Sequence, residues 1–256
     1  MKVCSKTKQW QVYAAAKLRA NRIPAITIVL ATALAGMWFF VPIRPFDDPY
    51  STVLLDREGK LLGASIAEDE QWRFPPPDSL PCKYKTAAIH FEDKRFYTHQ
   101  GIDPLAVLRA VWVNIKNRRI VSGASTITMQ TVRLSRRNRP RTVTEKCIEA
   151  LLALRLDLRR SKDEILTLYA THAPYGGNVV GLTAASWRYF GRAPSTLSWA
   201  ESAMLAVLPN SPSLIHPGKN RTALKQKRDL LLHRLADTGI IDTMTARLAV
   251  AEPLPP

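Results

Sequence analysis

Glu92 and Glu149 occupy positions from which a carboxylate can act as a proton acceptor inside the protein. In the segment AAIHFEDKRF, Glu92 follows Ile89 by three residues, so a helix there places its side chain on the apolar side. Glu149 precedes Leu152 by three residues and lies on an apolar stripe in the same way. Burial of a carboxyl group raises its pKa towards neutrality, which suits a general base. Two such groups are typical of glycosyl chemistry.

A second polar segment, SGASTITMQTVR, runs from Ser122 to Arg133 and carries small side chains after a glycine. If a helix begins at Ser125, four side chains share one of its faces: Thr126, Gln130, Arg133 and Arg137. Hydroxyl, amide and guanidinium donors beside the positive end of a helix can bind an anion. The segment therefore predicts an anion site.

Each of these segments also has a purely structural interpretation. Glu92 and Asp93 could end a helix on the surface and pair there with Lys94 or Arg95. The polar face that starts at Thr126 could simply be solvated. Spacing alone does not separate these alternatives.

Basic side chains are concentrated between the polar segment and the second glutamate. The cluster comprises Arg133, Arg136, Arg137, Arg139, Arg141 and Lys146. Fixed cations stabilise the charge that develops on a departing pyrophosphate without any proton transfer. A hydrolase that acts on neutral sugars has no use for them. Together with the two glutamates, the cluster favours glycosyl transfer from a diphosphate.

The elements that must position these groups are mainly helices. From about residue 83 to residue 235 the apolar residues have helical spacing, and Ser161 with Glu164 and Ser198 with Glu201 fit capping boxes. Before them, TVLLD and KLLGASI alternate around a turn and predict a β hairpin. The segment PLAVLRAVWVNIKNRRIV predicts a basic amphipathic helix that lies either in a membrane interface or in the core. We therefore expect a mainly α fold with a small hairpin.

The N-terminal region predicts a membrane anchor. No charged residue lies between positions 23 and 43, a length that a helix needs to cross roughly 30 Å of hydrocarbon, and basic residues precede it. We expect a cytoplasmic basic tail over residues 1–22, a transmembrane helix over 23–43, a hairpin and linker over 44–79 and an extracytoplasmic domain over 80–256. The alternative is a cleaved signal peptide, because Ala33-Leu34-Ala35 resembles a cleavage site.

Composition excludes several classes of protein. The 256 residues carry 37 Lys and Arg against 21 Asp and Glu, a net charge of +16, with 11 Gly and three Cys. Collagen-like, low-complexity and disulfide-scaffold proteins are excluded, and Cys82 and Cys147 are expected to be unpaired thiols. The charge fits anionic lipid or a phosphorylated substrate. Nucleic acid is not an expected partner, because the anchor directs the domain away from the cytoplasm.

The motifs resemble those of the family-51 peptidoglycan glycosyltransferases, the domain of class A penicillin-binding proteins and monofunctional transglycosylases. EDKRFYTHQGID (Glu92 to Asp103) matches the first motif at every fixed position, and GASTITMQ matches the second. SKDEILTLY with YGGNVVGLTAASWRYFG resembles the fourth motif, and LSWAESAMLAVLPNSPS the fifth. The order holds over roughly residues 80 to 235. RAVWVNIKNRRIVSG, HAPYGG and AASWRYFG resemble the penicillin-binding protein 1C branch.

The resemblance implies an inverting polymerase of lipid II with a lysozyme-like, mainly α fold, divided into a head and a membrane-facing jaw. Glu92 matches the general base that deprotonates the sugar 4-hydroxyl of the acceptor. Glu149 matches the second catalytic glutamate, near the leaving undecaprenyl pyrophosphate, where a divalent cation (Mg or Mn) is a candidate cofactor. The matches to substrate-binding positions are Asp93, Phe96, His99, Ser125, Thr126, Gln130, Arg133, Arg141 and Lys146. We further expect Glu92 and Glu149 to face one cleft.

The resemblance also implies the partners and the location. The expected partners are lipid II, the growing glycan chain, the membrane and other cell-wall synthases. The expected location is the inner membrane, crossed once, with the N-terminus in the cytoplasm and the catalytic domain in the periplasm. The transpeptidase motifs of bifunctional relatives are not expected to operate, since Ser5 to Lys8 is the only Ser-x-x-Lys sequence and lies in the predicted tail.

The chain departs from the family pattern in two motifs. Glu145 stands where an arginine is usual, and we expect it to weaken pyrophosphate binding unless Arg141 pairs with it. Thr167, Ala170 and Thr171 replace the usual residues of the fourth motif, which puts the support of that helix in question. Two alternative functions follow: a membrane-anchored, non-catalytic assembly factor that binds lipid II or a synthase, and a lytic enzyme. The arginine cluster argues against the lytic enzyme.

Overall fold

The computed structural model describes residues 46–119, 121, 123–140, 142–210, 212 and 215–256, together with Ile28, Thr32 and Gly36. The strands are β1 (Thr52–Leu55), β2 (Leu61–Ser65), β3 (Trp72–Arg73), β4 (Pro174–Gly176) and β5 (Val179–Val180). The helices are α1 (Cys82–Glu92), α2 (Pro104–Asn117), α3 (Ile127–Ser135), α4 (Val143–Asp157), α5 (Lys162–His172), α6 (Leu182–Phe190), α7 (Trp199–Val207), α8 (Arg221–Asp237) and α9 (Thr243–Ala251). The expected mainly α fold with small sheets is confirmed.

The entrance hairpin forms as its sequence predicts. β1 and β2 pair antiparallel, with Thr52 opposite Ser65. Their turn is closed by Asp56, whose carboxylate accepts hydrogen bonds from the backbone N–H groups of Glu58 and Lys60 at 3.0 and 2.7 Å. An aspartate at this place in a turn is favoured because its side chain bonds the backbone two residues on.

A second small sheet interrupts the run that had helical spacing. β5 pairs antiparallel with β4 and parallel with β3, in the order β3-β5-β4. The expectation of helix throughout residues 83–235 is therefore wrong at positions 174–180. Gly181 ends this sheet at a φ of 88°, where an added Cβ would lie 2.5 Å from the carbonyl oxygen of Thr171. A larger residue would not fit, so the chain can turn directly from the sheet into α6.

Helix α7 forms the centre of the core. Every residue from Ala200 to Val207 is buried, and the helix packs mainly against α1 and α8. A helix that is apolar on all sides is buried on all sides. Its start is fixed by a complete capping box between Ser198 and Glu201, as predicted, and α5 starts in the same way at Ser161 and Glu164.

Helix α2 exposes its apolar side. Its only buried residue is Ala110. The exposed apolar side chains are Leu105, Val107, Leu108, Val111, Trp112 and Ile115. The core interpretation of this helix is therefore wrong, and the interfacial interpretation remains.

The predicted anchor falls almost entirely outside the described residues. Ile28, Thr32 and Gly36 are helical, and the Thr32 hydroxyl donates to the Ile28 carbonyl oxygen at 2.8 Å. Within the part of the chain that the structure describes, no helix has the length and apolar character needed to cross a membrane. The chain divides into two compact units, residues 1–42 and 43–256. Cys82 and Cys147, both in the second unit, are free, as predicted, and both are exposed.

Candidate active site

Glu92 lies in the wall between two cavities of the second unit. The larger cavity has a volume of about 830 Å³, and the smaller one about 510 Å³. Four residues line both of them: Phe91, Glu92, Gly123 and Ser125. Glu149 lines the larger cavity, so the prediction that the two glutamates face one cleft is confirmed. The predicted residues Gln130, Arg133 and Lys146 line this larger cavity as well.

Glu92 is a largely buried carboxylate at the C-terminal end of α1. One of its oxygens, Oε2, accepts a hydrogen bond from Gln130 Nε2 at 2.6 Å. The other oxygen, Oε1, is buried without a hydrogen-bond partner among the described residues. Burial raises the pKa of Glu92, while the Gln130 amide and then the Lys227 ammonium oppose that rise. These are the properties expected of a general base.

The surface ion pairs considered for this segment do not form. Arg95 pairs instead with Asp103, its Nη2 lying 2.7 Å from Oδ2. Asp93 is buried and accepts hydrogen bonds from the ring of His99 at 3.0 Å and from the backbone N–H of Ile127 at 3.2 Å. Asp93 thus ties the end of α1 to the start of α3.

Phe96 and His99 lie in the packing behind the cleft. Phe96 has 0% of its surface exposed, and its ring meets the His99 ring edge to face at a centroid distance of 6.4 Å. The ammonium of Lys162 lies 4.8 Å from the centroid of Phe96 and also donates to the His99 carbonyl oxygen at 2.6 Å. This placement suits residues that support the loop of the first motif rather than residues that touch a substrate.

Helix α3 begins two residues later than predicted, because Thr126 caps it. The Thr126 hydroxyl accepts from the backbone N–H of Met129 at 3.1 Å and donates to the Gly101 carbonyl oxygen at 2.6 Å. Thr126 therefore has an extended backbone and joins the first two motifs. The helix ends at Ser135, so Arg137 lies beyond it and does not share the predicted face.

Glu149 is held by Arg133 across α3 and α4. Arg133 Nε and Nη2 donate to the two carboxylate oxygens at 2.6 and 2.7 Å, and Glu149 is only 2% exposed. A bidentate pair of this kind fixes the geometry of both groups. The hydrogen bond from Arg133 to Glu149 raises the pKa of the arginine, so the guanidinium keeps its charge beside the cavity. Its remaining nitrogen, Nη1, is not used in this pair.

Glu145 does not line the larger cavity. Its carboxylate accepts a hydrogen bond from Arg136 Nε at 2.6 Å, which holds the pKa of Glu145 below its ordinary value. Glu145 thus has Arg136 as a partner, and Arg141, the partner considered from the sequence, lies outside the described residues. The charge of Glu145 is therefore neutralised on a side of α4 that does not line the larger cavity, whereas Lys146 and Glu149 do line it.

The unusual residues of the fourth motif do not disturb their helix. The hydroxyls of Thr167 and Thr171 donate to backbone carbonyl oxygens one turn earlier, each at 2.8 Å. Ala170 is completely buried between them. Helix α5 thus has its support from its own backbone and its capping box.

The described residues do not form a cage for a metal ion. No group of three or more His, Cys, Asp or Glu in the described part of the chain could hold one. Both oxygens of Glu149 are engaged by Arg133. A divalent cation stays a prediction.

No spacing in the sequence groups the basic side chains that line the smaller cavity. They are Lys94, Arg95, Arg109 and Arg234; His90 lies among them, but burial lowers its pKa. Arg234 comes from α8, far along the chain, and no spacing links it to the first motif. Lys227, on the same helix, donates to Asn210 Oδ1 at 3.2 Å, and Asn210 lines the larger cavity. The packing of α8 brings Lys227 and Arg234 to the two cavities.

Comparison with known proteins identifies the family of this chain. The family model for transglycosylases matches residues 58–236. Penicillin-binding protein 1C of Escherichia coli (strain K12) is 34% identical over 232 residues, which cover 90% of this chain and 30% of that protein. Penicillin-binding protein 1A of Rickettsia bellii (strain RML369-C) is 35% identical over 209 residues, which cover 80% of this chain and 26% of the relative.

A solved structure gives a further likeness. A 2.6 Å crystal structure of penicillin-binding protein 1A from Haemophilus influenzae aligns with 81% of this chain and 21% of its own, with a TM-score of 0.46 and 20% identity. The chain spans 30% and 26% of the length of the two curated relatives above. On the match of the family model and the likeness to penicillin-binding protein 1C, the chain belongs to the transglycosylase family.

Proposed function

We propose that this chain is a peptidoglycan glycosyltransferase that polymerises lipid II into glycan strands with inversion. The observation that carries the proposal is the position of Glu92, a buried carboxylate with a raised pKa between two cavities that both contain cations. A base between two cavities can accept a proton from a substrate in one cavity while it faces the substrate in the other. The family match supports the same chemistry.

In the proposed reaction, the larger cavity holds the growing chain with its pyrophosphate, and the acceptor lipid II reaches Glu92 from the smaller cavity. Glu92 takes the proton of the acceptor 4-hydroxyl, and the oxygen forms a bond to the anomeric carbon of the growing chain. The bond from that carbon to the pyrophosphate oxygen breaks, and its electron pair leaves with the undecaprenyl pyrophosphate. Arg133 and Lys146 would stabilise the departing charge.

Arg133 and Glu149 would act as one unit in this step. Both carboxylate oxygens of Glu149 are bonded to the guanidinium, so the glutamate would orient the arginine towards the leaving group. A divalent cation, if used, would add positive charge near the same pyrophosphate. The proton transfer itself would fall to Glu92.

The membrane context is part of the proposal. The exposed apolar side of α2 suits the interface of a bilayer, where the lipid tails of donor and acceptor lie. We also infer a lysozyme-like head with a membrane-facing jaw that contains α2. The predicted anchor would keep this domain at the periplasmic face of the inner membrane.

Purified lipid II in detergent tests the proposal. The chain is expected to convert lipid II into glycan polymer with release of undecaprenyl pyrophosphate. Binding of lipid II without polymer would favour the assembly factor, and shortening of preformed glycan would favour the lytic enzyme. The Arg136–Glu145 pair supports a catalytic role over the assembly factor, since the acid that motivated that alternative is neutralised away from the cavity.

A further inference from the structure

Arg136 and Glu145 make a second connection between α3 and α4. Both residues are buried, each 9% exposed, and their side chains meet at 2.6 Å. The first connection is the pair of Arg133 and Glu149 on the same two helices. The two arginines are three residues apart on α3, and the two glutamates are four residues apart on α4. The arginine that comes later in α3 pairs with the glutamate that comes earlier in α4. The two ion pairs therefore join antiparallel helices along one side of each.

The second pair closes an unusual turn. Arg137 and Asn138 follow α3 with φ angles of 56° and 48°, in the left-handed region that residues other than glycine rarely adopt. Such conformations persist where surrounding contacts enforce them. The bond between Arg136 and Glu145 spans this turn, and the Asn138 N–H donates back to the Arg133 carbonyl oxygen at 3.1 Å.

The orientation of α4 decides what the larger cavity contains. Its residues Val143, Lys146 and Glu149 line the cavity, at the three-residue spacing of one helix face. Glu145 precedes Lys146 by one residue and so lies about 100° away around the helix. A rotation of α4 that released Glu145 from Arg136 would also turn the Lys146 ammonium and the Glu149 carboxylate.

We propose that Arg136 and Glu145 are a positioning pair, which holds α4 in the orientation that presents Lys146 and Glu149 to the larger cavity. Glu145 thus promotes diphosphate binding, although an acid at its place in the sequence suggests the opposite. The inference rests on the proposed function and extends it to two residues that touch no substrate.

The substitution Glu145→Gln distinguishes a positioning role from simple repulsion of the diphosphate, because the two hypotheses predict opposite effects on activity towards lipid II. If Glu145 merely repelled the diphosphate, removing its charge would lower KM for lipid II. The positioning role predicts that kcat/KM falls by roughly ten- to a hundredfold, because a small misplacement of binding groups has such effects. Steady-state polymerisation of lipid II gives kcat and KM, and a thermal unfolding curve gives the fraction of folded protein.

A charge exchange supplies the rescue. The single variant Glu145→Arg places two cations together and is expected to lose activity, whereas Arg136→Glu with Glu145→Arg restores the pair and most of kcat/KM. Glu58→Gln, at an exposed ion pair in the hairpin turn, is the matched control and is expected to behave as the parent. An exchanged variant that folds but stays as impaired as the single variant would overturn the proposal, as would a lower KM in Glu145→Gln.

A second measurement tests the positioning pair independently of the proposed function. If the parent makes no polymer, the proposed function fails. Calorimetric titration with inorganic pyrophosphate then reports on the cavity, and the positioning role requires weaker binding in Glu145→Gln and recovery in the exchanged variant. Equal binding by parent and Glu145→Gln would contradict it.

Discussion

At the scale of single residues, four influences set the pKa of Glu92. Burial is the largest, and it raises the pKa of this carboxyl group. The amide of Gln130 and the charge of Lys227 favour the ionised form and oppose the rise. The smallest influence is the negative charge of Asp93, which raises the pKa. A general base needs influences of both signs. A higher pKa makes the carboxylate a stronger base, whereas a lower pKa keeps it ionised at the working pH.

The substitution Gln130→Ala removes the hydrogen bond that stabilises the Glu92 carboxylate. The pKa of Glu92 then rises further, so the acid limb of the kcat/KM profile moves to higher pH. Activity is lost most at low pH and recovers as the pH increases. The profile of lipid II polymerisation from acid to alkaline pH checks this, with Gln226→Ala on the exposed side of α8 as control. An unmoved limb, or one moved to lower pH, would argue against Glu92 as the titrating base.

At the scale of elements, the loop of the first motif is fixed between α3 and α4. The Thr126 hydroxyl binds the Gly101 carbonyl oxygen, and Gly101 approaches α4 so closely that an added Cβ would lie 2.5 Å from the Ala153 oxygen. The loop that follows Glu92 and the helix that carries Glu149 are therefore in direct contact. A larger residue at position 101 is therefore expected to displace both the loop and α4.

The substitution Gly101→Ala tests this contact, and Gly59→Ala provides a close match. Both glycines have positive φ, 69° and 78°, but an added Cβ at Gly59 meets no atom within 4 Å. Gly59→Ala is expected to cost about 1–2 kcal/mol of unfolding free energy from the left-handed backbone alone. Gly101→Ala should cost about 1–3 kcal/mol more, because α4 must move. Denaturant unfolding measures both, and equal losses would show that the contact with α4 contributes nothing.

Features that depend on residues close together in the sequence could be predicted, whereas features that depend on contacts between residues far apart in the sequence could not. The capping boxes at Ser161 and Ser198 and the inward positions of both glutamates follow from spacing within one or two turns. The start of α3 was misplaced because Thr126 takes the cap position while it binds a carbonyl in another motif. Strand β3 pairs with residues more than a hundred positions later, and no period in the sequence encodes such a pairing.

At the scale of the whole molecule, the second unit combines a closed core with one open apolar face. The core surrounds α7, whose residues from Ala200 onward are all buried. Helix α2 instead exposes Leu108 by 66%, Trp112 by 63% and Ile115 by 71%. A contiguous face of this kind marks a contact surface. For the lipid-linked substrate that we propose, this contact is the bilayer.

The double variant Leu108→Ser with Ile115→Ser tests that contact. In proteoliposomes, kcat/KM for lipid II is expected to fall by roughly tenfold or more, because two side chains that would lie in the interface become polar. In detergent with a short-tailed, water-soluble lipid II analogue, the variant should match the parent. Leu248→Ser, equally exposed on α9, is the control. Equal losses in both media would assign the two residues to folding or catalysis rather than to the membrane.

The proposed function depends on Glu92 as the general base of a lipid II polymerase. The most direct measurement is the initial rate of glycan formation by Glu92→Gln, which keeps the side-chain shape and the contact with Gln130 but cannot accept the proton. We expect the rate to fall roughly a hundred- to ten-thousandfold, with lipid II binding and melting temperature close to those of the parent and of Glu58→Gln. A folded Glu92→Gln variant that polymerises lipid II at the parent rate would contradict it.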